Sequence, residues 1–110
     1  MLTRYCAKHL KTNETDIVYC QQNVPFAVMS IWITNTSSLN TTFTIRHVPK
    51  SQASASHFDL VSGITIEPNT VQTIDSAIYL LPGDRLTAFA SVSNRISMFV
   101  YGDLTGSYSG

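Results

Sequence analysis

The fold class of this chain is decided by residues 26–34, which read FAVMSIWIT. The run alternates with the period of a β-strand, in which successive side chains point to opposite sides of a sheet. One face carries Ala27, Met29, Ile31 and Ile33, and the other carries Val28, Ser30, Trp32 and Thr34. We expect the first face to lie in the core and residues 35–40, NTSSLN, to form the polar turn that ends the strand.

Further short strands follow the same pattern along the chain. Residues 42–46 alternate, and Phe43 and Ile45 are expected to point inward. Two later runs, 86–92 and 96–101, alternate in the same way, and the short link between them predicts a hairpin. The inward faces of these two runs carry Leu86, Ala88, Ala90 and Val92, and then Ile96, Met98 and Val100.

Turn signals separate these runs about every eight to twelve residues, and no segment carries a sustained helical period. The strongest signal is Pro82-Gly83-Asp84, because proline presets one dihedral angle and glycine supplies a positive φ. Residues 50–56, KSQASAS, have no apolar period and predict a mobile loop. About eight such strands predict an all-β chain folded as a single antiparallel β-sandwich with jelly-roll or Ig-like connections. We assign residues 1–15 to an N-terminal arm or edge strand, 16–102 to the sandwich and 103–110 to a flexible tail.

Composition limits the partners of the chain. Of its 110 residues only 13% are charged, and seven Lys and Arg balance seven Asp and Glu. The chain has no net positive charge that would attract a polyanion, so we expect no nucleic-acid partner. Copies with so little charge repel one another only weakly, which favours self-association. The longest apolar run is far shorter than the roughly 20 residues of a membrane-spanning helix, and residues 1–10 lack a signal-peptide layout. We therefore expect synthesis in the cytoplasm and no membrane partner.

The candidate catalytic and metal-binding residues are scattered. Asp84 and Asp103 each follow a glycine and fit turns better than acid–base catalysis. Motifs for a nucleophile elbow or a phosphate loop are missing from the sequence. Cys6 and His9 form one close pair of possible zinc ligands, and Cys20 is further along the chain. Structural zinc sites usually have two close pairs, and the sequence has no second one. We expect no enzymatic activity, no cofactor and no metal, and reduced thiols at both cysteines, with a disulfide between them as the alternative.

A second group of residues is expected to contact partners. Trp32 is the only tryptophan, and it opposes the expected core face of its strand. Outward aromatic side chains either anchor an interface or provide stacking platforms for sugar rings, unless another sheet or the arm covers them. The first twelve residues contain three basic side chains and no acidic one, which are either solvated or reach onto a neighbouring subunit. The interface candidates are Arg4, Lys8, Lys11, Trp32, Phe89, Phe99 and Tyr101.

The turns and strands follow one another in a particular order from about Asp16 to Gly102. Val-Pro precedes an apolar strand that ends in Asn-Thr-Ser-Ser. A Thr-rich strand, a Pro-Asn-Thr turn, a Pro-Gly-Asp turn and a last hairpin rich in Ala, Ser and Val follow. These pieces occupy Val24-Pro25 and residues 31–38, 41–48, 67–70, 82–84 and 89–100. Their succession resembles a family of small β-sandwich virion proteins of tailed bacteriophages. The basic, Cys-containing segment before Thr12 and the loop at residues 50–56 depart from the family pattern.

The resemblance implies a non-enzymatic, multicopy role in a virion. We expect a homo-oligomer that docks on capsid, portal, neck or tail proteins, stabilises the particle and is made in the cytoplasm of the bacterial host. The alternative is a carbohydrate-binding β-sandwich that faces a host receptor. In that case Trp32, Tyr79 or Tyr101 would stack on sugar rings.

Overall fold

The computed structural model of the chain describes residues 3–20, 25–75 and 77–104, and within these ranges it describes the side chains from His9 to Gly102. The described residues contain nine β-strands and one turn of 3₁₀ helix, Ser56–Phe58. The strands are β1 (Thr3–His9), β2 (Thr15–Tyr19), β3 (Phe26–Asn35), β4 (Thr41–Val48), β5 (Asp59–Ile66), β6 (Val71–Ile74), β7 (Ile78–Leu80), β8 (Arg85–Ala90) and β9 (Ile96–Leu104). None of the described segments is a helix with the length and apolar character needed to cross a membrane.

The strands form two antiparallel sheets. The first sheet has the order β1-β9-β3-β6, and β7 also pairs with β3. The second sheet has the order β2-β8-β4-β5. Buried side chains from both sheets form one hydrophobic cluster, so the sheets pack face to face. The prediction of an all-β, antiparallel sandwich of about eight strands is confirmed.

The strand pairs are nested in the manner of a jelly roll. β1 pairs with β9, β2 with β8, β3 with β6 and β4 with β5, so the chain forms one long hairpin of eight strands to which β7 is added. This hairpin is rolled up, because β9 also pairs with β3 and β8 with β4. Two four-stranded sheets connected in this way form a jelly roll, whereas an Ig-like sandwich divides its strands as ABED and CFG. Of the two connectivities expected from the sequence, the structure has the jelly roll.

The core lies between the two sheets and follows the predicted alternation on three strands. Phe43 and Ile45 of β4 are each 1% exposed, as expected for inward positions. On β8 and β9 the buried set is Leu86, Ala88, Ala90, Ile96, Met98 and Val100. Val92 was assigned to the same face, but it lies beyond the end of β8 and is 38% exposed.

The inward face of β3 changes at a β-bulge. The pairing of β3 with β9 shifts between Val28 and Ser30, which leaves Met29 as the extra residue. A bulge moves the alternation by one residue. The prediction that Met29 faces the core is therefore wrong. Ala27, which was assigned to the same face, is buried but lies outside the core cluster. The core residues of β3 are Phe26, Val28, Ile31 and Ile33.

β8 and β9 do not form the predicted hairpin. β8 lies in the second sheet between β2 and β4, and β9 lies in the first sheet between β1 and β3. Residues 91–95 cross between the sheets, where Ser91 N–H donates to the Thr42 carbonyl (3.0 Å) and Asn94 N–H donates to the Leu10 carbonyl (2.9 Å). A short link between two alternating strands fits this crossover as well as a hairpin, because both bring the apolar faces into one core.

The predicted turns at residues 35–40 and 82–84 are both present. Asn35 is fully buried, and its amide donates to the carbonyl oxygens of Leu39 (2.8 Å) and Ile66 (2.9 Å). Gly83 has a φ of 92°, and Asp84 N–H donates to the Leu81 carbonyl (2.9 Å) across the turn. Both turns thus provide hydrogen-bond partners for backbone groups where strands end.

The ends of the chain are described in part. Thr3–His9 forms an edge strand of the first sheet, within the segment 1–15 assigned to an arm or an edge strand. β9 extends to Leu104, which is past the start of the expected tail. Residues 105–110 of that tail, and Val24 of the Val-Pro pair, lie outside the described residues.

Candidate functional site

The outer face of the first sheet, here called the aromatic face, carries three of the predicted interface residues. In the pairing of β3 with β9, Trp32 lies opposite Phe99, and Ser30 lies opposite Tyr101. The Trp32 side chain is 48% exposed, while Phe99 and Tyr101 are partly buried. Trp32 therefore faces outward, as the sequence predicts, and the second sheet does not cover it.

Two hydrogen bonds in series hold the Trp32 indole in place. Its Nε1–H donates to Ser30 Oγ (3.0 Å), and the Ser30 hydroxyl donates to Asp75 Oδ1 (2.9 Å). Asp75 follows β6 directly, and the pairing of β6 with β3 brings it close to Ser30. Together with Met29 and Tyr101, these three side chains line a shallow depression of about 480 Å³, here called the Trp32 depression.

The outer face of the second sheet, here called the charged face, contains an internally paired network. Arg46 Nε donates to Asp59 Oδ1 (2.6 Å), and Arg46 Nη1 donates to Glu14 Oε1 (2.9 Å). Glu14 also accepts a short hydrogen bond from the Thr87 hydroxyl. The Arg46 and Asp59 side chains are only 16% and 14% exposed. Hydrogen bonds between ionised groups are stronger than neutral ones, so this network binds three distant segments of the chain together.

The loop at residues 50–56 is tied to the charged face at two points. The Ser54 hydroxyl donates to Glu14 Oε1 (2.7 Å) and accepts from Arg46 Nη1 (3.1 Å). The Gln52 carbonyl accepts from Arg85 Nη2 (3.2 Å). The sequence predicts a mobile loop here, but the structure anchors its middle to residues that are far away in the chain.

Phe89 is separated from the other aromatic candidates. It lies on the charged face opposite Thr44, and Arg46 Cζ is 4.9 Å from the centre of its ring. A guanidinium over an aromatic face is attracted to it electrostatically. Phe89 therefore supports the Arg46 network, and the structure does not place it beside Trp32.

The charged face stabilises the ionised form of Glu14. Burial raises the pKa of Glu14, but the hydrogen bonds from Ser54 and Thr87 and the charge of Arg46 together lower it below its ordinary value of 4.5. The hydrogen bond to Asp59 raises the pKa of Arg46. Burial lowers the same pKa, but by less. Glu14 and Arg46 are consequently both charged at neutral pH.

Asp84 has the turn role that the sequence predicts. Its carboxylate is 8% exposed and accepts hydrogen bonds from Lys50 N–H (3.0 Å), Leu81 N–H (3.1 Å) and His47 Nε2 (2.9 Å). Burial raises the pKa of Asp84, but these three bonds, with His47 the strongest, lower it below its ordinary value of 3.8. The carboxylate thus connects β4, β7 and β8.

The side of the sandwich formed by β5, β6 and β7, here called the open edge, contains an apolar cleft. β5 ends the second sheet, and β6 and β7 border β3 in the first sheet. The cleft between them has a volume of about 330 Å³ and reaches the core residues Ile31 and Ile45. Five large apolar side chains from this part of the chain are exposed, namely Leu60, Ile64, Val71, Tyr79 and Leu81.

The opposite side of the sandwich, formed by β1 and β2 and here called the basic edge, holds the basic N-terminal residues. Arg4 and Lys8 lie in β1, and their side chains are outside the described residues. Lys11 is exposed, and its carbonyl accepts from Ala90 N–H (2.8 Å). By contrast, residues 59–81 contain three acidic side chains and no Lys or Arg. The N-terminal basic residues therefore lie on the side of the sandwich opposite to the open edge, together with Asp16 of β2.

The part of the chain with described side chains contains no group of three His, Cys, Asp or Glu residues that could hold a metal ion. Cys20 is a buried thiol that donates to the Leu80 carbonyl (3.4 Å), and burial raises its pKa. His9 is exposed, and the Cys6 side chain lies outside the described residues.

A comparison of the chain with protein-family models, curated proteins and solved structures finds no significant match. Sequence reasoning also missed three of the five residues that line the Trp32 depression, among them Ser30, which was placed on the outward face but was not an interface candidate. Met29 was assigned to the core, and Asp75 was not among the interface candidates. Asp75 is 45 residues from Ser30, and only the pairing of β6 with β3 brings the two together, for which the sequence has no local signal.

Proposed function

We propose that the protein is a non-enzymatic structural module of a tailed-phage virion, made in the host cytoplasm and present in several copies on capsid, neck or tail proteins. Its order of turns resembles that of such proteins, and jelly rolls are common among viral capsid domains and lectins. Because one fold serves many functions, the surfaces must support the assignment. The observation that carries it is the open edge, an apolar surface that a neighbouring subunit would cover.

The open edge exposes apolar side chains along β5, β6 and β7, and Leu60 among them lines the entrance to the core. Leu60, Val71 and Tyr79 are 47%, 54% and 63% exposed. Burying an apolar side chain completely contributes about 1.5–3 kcal/mol, so covering several half-exposed ones would contribute several kcal/mol to association. Contiguous exposed apolar surface is typical of interaction sites.

The strands of the open edge favour docking through side chains over the addition of another strand. The pairing of β5 with β4 is interrupted by bulges on either side of Ile45, and Gly63 within β5 has a φ of 58°. β6 has only four residues. Bulged or very short edge strands are poor templates for backbone pairing. A neighbouring subunit would therefore insert apolar side chains into the cleft.

The contact we propose joins the open edge of one copy to the basic edge of the next. Residues 59–81 contain no Lys or Arg, although lysines commonly protect edge strands. β1 and β6 lie at opposite ends of the first sheet, so this contact is head-to-tail. Head-to-tail contacts close into rings or continue as open arrays. Either arrangement suits a multicopy component of a particle.

Sedimentation velocity of the purified chain at increasing concentration tests this function. A monomer has a mass of 12.1 kDa, and we expect species of several times this mass. Leu60→Asp puts a charge at the cleft and is expected to shift the protein to monomer, because the charge would be buried without a partner. Leu39→Asp is the matched control, since Leu39 is 55% exposed in the turn between β3 and β4 and does not line the cleft.

Mass spectrometry of isolated phage particles provides the second part of the test, and we expect the chain among the particle proteins. A strict monomer that is absent from particles would exclude the proposed function. An equal loss of assembly in Leu60→Asp and Leu39→Asp would exclude the open edge as the contact surface.

A further inference from the structure

The Trp32 depression has an aromatic surface in a fixed orientation. The indole is half exposed, and its single donor, Nε1–H, is held by Ser30. That hydrogen bond lies in the plane of the ring, so it fixes the ring without covering either face. The volume of about 480 Å³ is within the range of small-molecule sites. The depression is therefore a preformed platform for a flat or ring-shaped ligand.

Acceptors and hydroxyl groups surround this platform. Asp75 is exposed, and a carboxylate has about four acceptor sites, of which Ser30 uses one. The hydroxyl-bearing side chains of Ser30 and Tyr101 line the depression, and Thr73 lies opposite Trp32 on β6. Each hydroxyl can both donate and accept a hydrogen bond. The platform thus has one carboxylate on one side and neutral hydroxyl groups on others.

We propose that the Trp32 depression binds a sugar ring of a neutral saccharide. The C–H groups on one side of a pyranose are apolar and slightly positive, so they pack against the negative face of the Trp32 indole. Sugar hydroxyls donate to the Asp75 carboxylate in charge-assisted hydrogen bonds and exchange weaker ones with the hydroxyl groups of Ser30 and Tyr101. An organic cation would also be attracted to Trp32 and Asp75, but it would not use the surrounding hydroxyl groups. A saccharide uses all three features.

Saccharide binding does not rest on the proposed virion function. The aromatic face is a broad surface of the sandwich, whereas the proposed contacts between copies use its two edges. Copies joined at these edges would leave the Trp32 depression exposed, and several copies would bind a multivalent glycan with avidity. A single chain is expected to bind one saccharide whether or not it assembles, so the two proposals can fail separately.

Tryptophan fluorescence gives a direct test, because Trp32 is the only tryptophan of the chain. The probes are neutral oligosaccharides chosen from a glycan array, titrated into the purified full-length protein. We expect a saturable change in emission with a dissociation constant of about 1 mM or lower. Asp75→Asn keeps the fluorophore and should weaken binding by at least about tenfold. Tyr19→Ser removes an exposed aromatic side chain from the second sheet and should leave the affinity unchanged.

Calorimetry with Trp32→Ala completes the test, and we expect binding to be lost while the circular dichroism spectrum of the β-sandwich is retained. Choline and arginine serve as cationic probes. A saturable response to these cations, with none to any saccharide, would show that the Trp32 depression binds a cation and not a saccharide. The proposal is overturned if no saccharide on the array gives a response up to about 10 mM, or if binding survives both Asp75→Asn and Trp32→Ala.

Discussion

The two outer faces of the sandwich occupy equivalent places in the fold but differ in how their polar groups are used. On the charged face, Arg46 contacts Glu14, Asp59 and Phe89, and the loop at residues 50–56 is anchored over it. On the aromatic face, Trp32 is 48% exposed beside an exposed carboxylate. A polar network with all its partners in place makes a fold rigid and has little capacity left for a ligand. We infer that the charged face contributes to stability and that the aromatic face is available for recognition.

Arg46→Ala is expected to have the largest effect on stability. It leaves the carboxylates of Glu14 and Asp59, which are 23% and 14% exposed, without their cation. Breaking such a pair costs about 2–3 kcal/mol after allowance for its partial exposure to water. The free energy of unfolding in urea should fall by this amount, and Tm should fall by roughly 10 °C.

Trp32→Ala is the matched change on the aromatic face. It removes a larger side chain, but we expect it to cost no more than about 1 kcal/mol, because that side chain is already half exposed. Equal losses of unfolding free energy in Arg46→Ala and Trp32→Ala would contradict the difference between the faces.

A fall in pH is expected to destabilise the protein through the charged face and the Asp84 turn. The pKa values of Glu14 and Asp84 are lowered in the folded chain, so the unfolded chain binds protons more readily. The contribution of these two carboxylates to the free energy of unfolding is complete above their ordinary pKa values of 4.5 and 3.8. It is lost as the pH falls through their lower pKa values in the folded chain. Tm measured between about pH 7 and about pH 3 should therefore decrease, and Glu14→Gln should make the decrease smaller. A wild-type Tm that does not change over this pH interval would refute a stabilising role for the ionised carboxylates of Glu14 and Asp84.

Ser54→Ala is expected to have the smallest of these effects. It removes the hydroxyl that bonds Glu14 and Arg46, and because Ser54 is exposed a loss of about 0.5 kcal/mol follows, at the low end of the strength of such bonds. Limited proteolysis should then cut the loop at residues 50–56 faster than in the wild type. Ser56→Ala, two residues further along, provides the control, and the same acceleration in both variants would argue against an anchor at Ser54.

Much of the fold could be predicted from the sequence, because the central strands β3, β4, β8 and β9 each have one face in the core. Phe43 and Ile45 on β4, and the apolar residues of β8 and β9, alternate with polar or aromatic neighbours and are buried as expected. The outward position of Trp32 follows from the buried Ile31 and Ile33 on either side of it.

The errors have a common physical origin, since they concern which strands pair and where the alternation slips. A five-residue connection after β8 fits a hairpin or a crossover equally well, and the bulge at Met29 has no marker such as glycine or proline. The contacts of Arg46 with Glu14 and of Ser30 with Asp75 span 32 and 45 residues. Such contacts appear only when the jelly roll closes.

Hydrogen exchange in the assembled and dilute protein tests most directly the claim that the chain associates through its edges. We predict slower amide exchange on assembly in β5 and β6 of the open edge and in β1 of the basic edge, because a neighbouring copy excludes water there. The loop at residues 50–56 and the strands at the centre of each sheet should exchange at the same rate in both states. Protection confined to that loop or to the aromatic face, or identical exchange throughout, would contradict assembly through the edges.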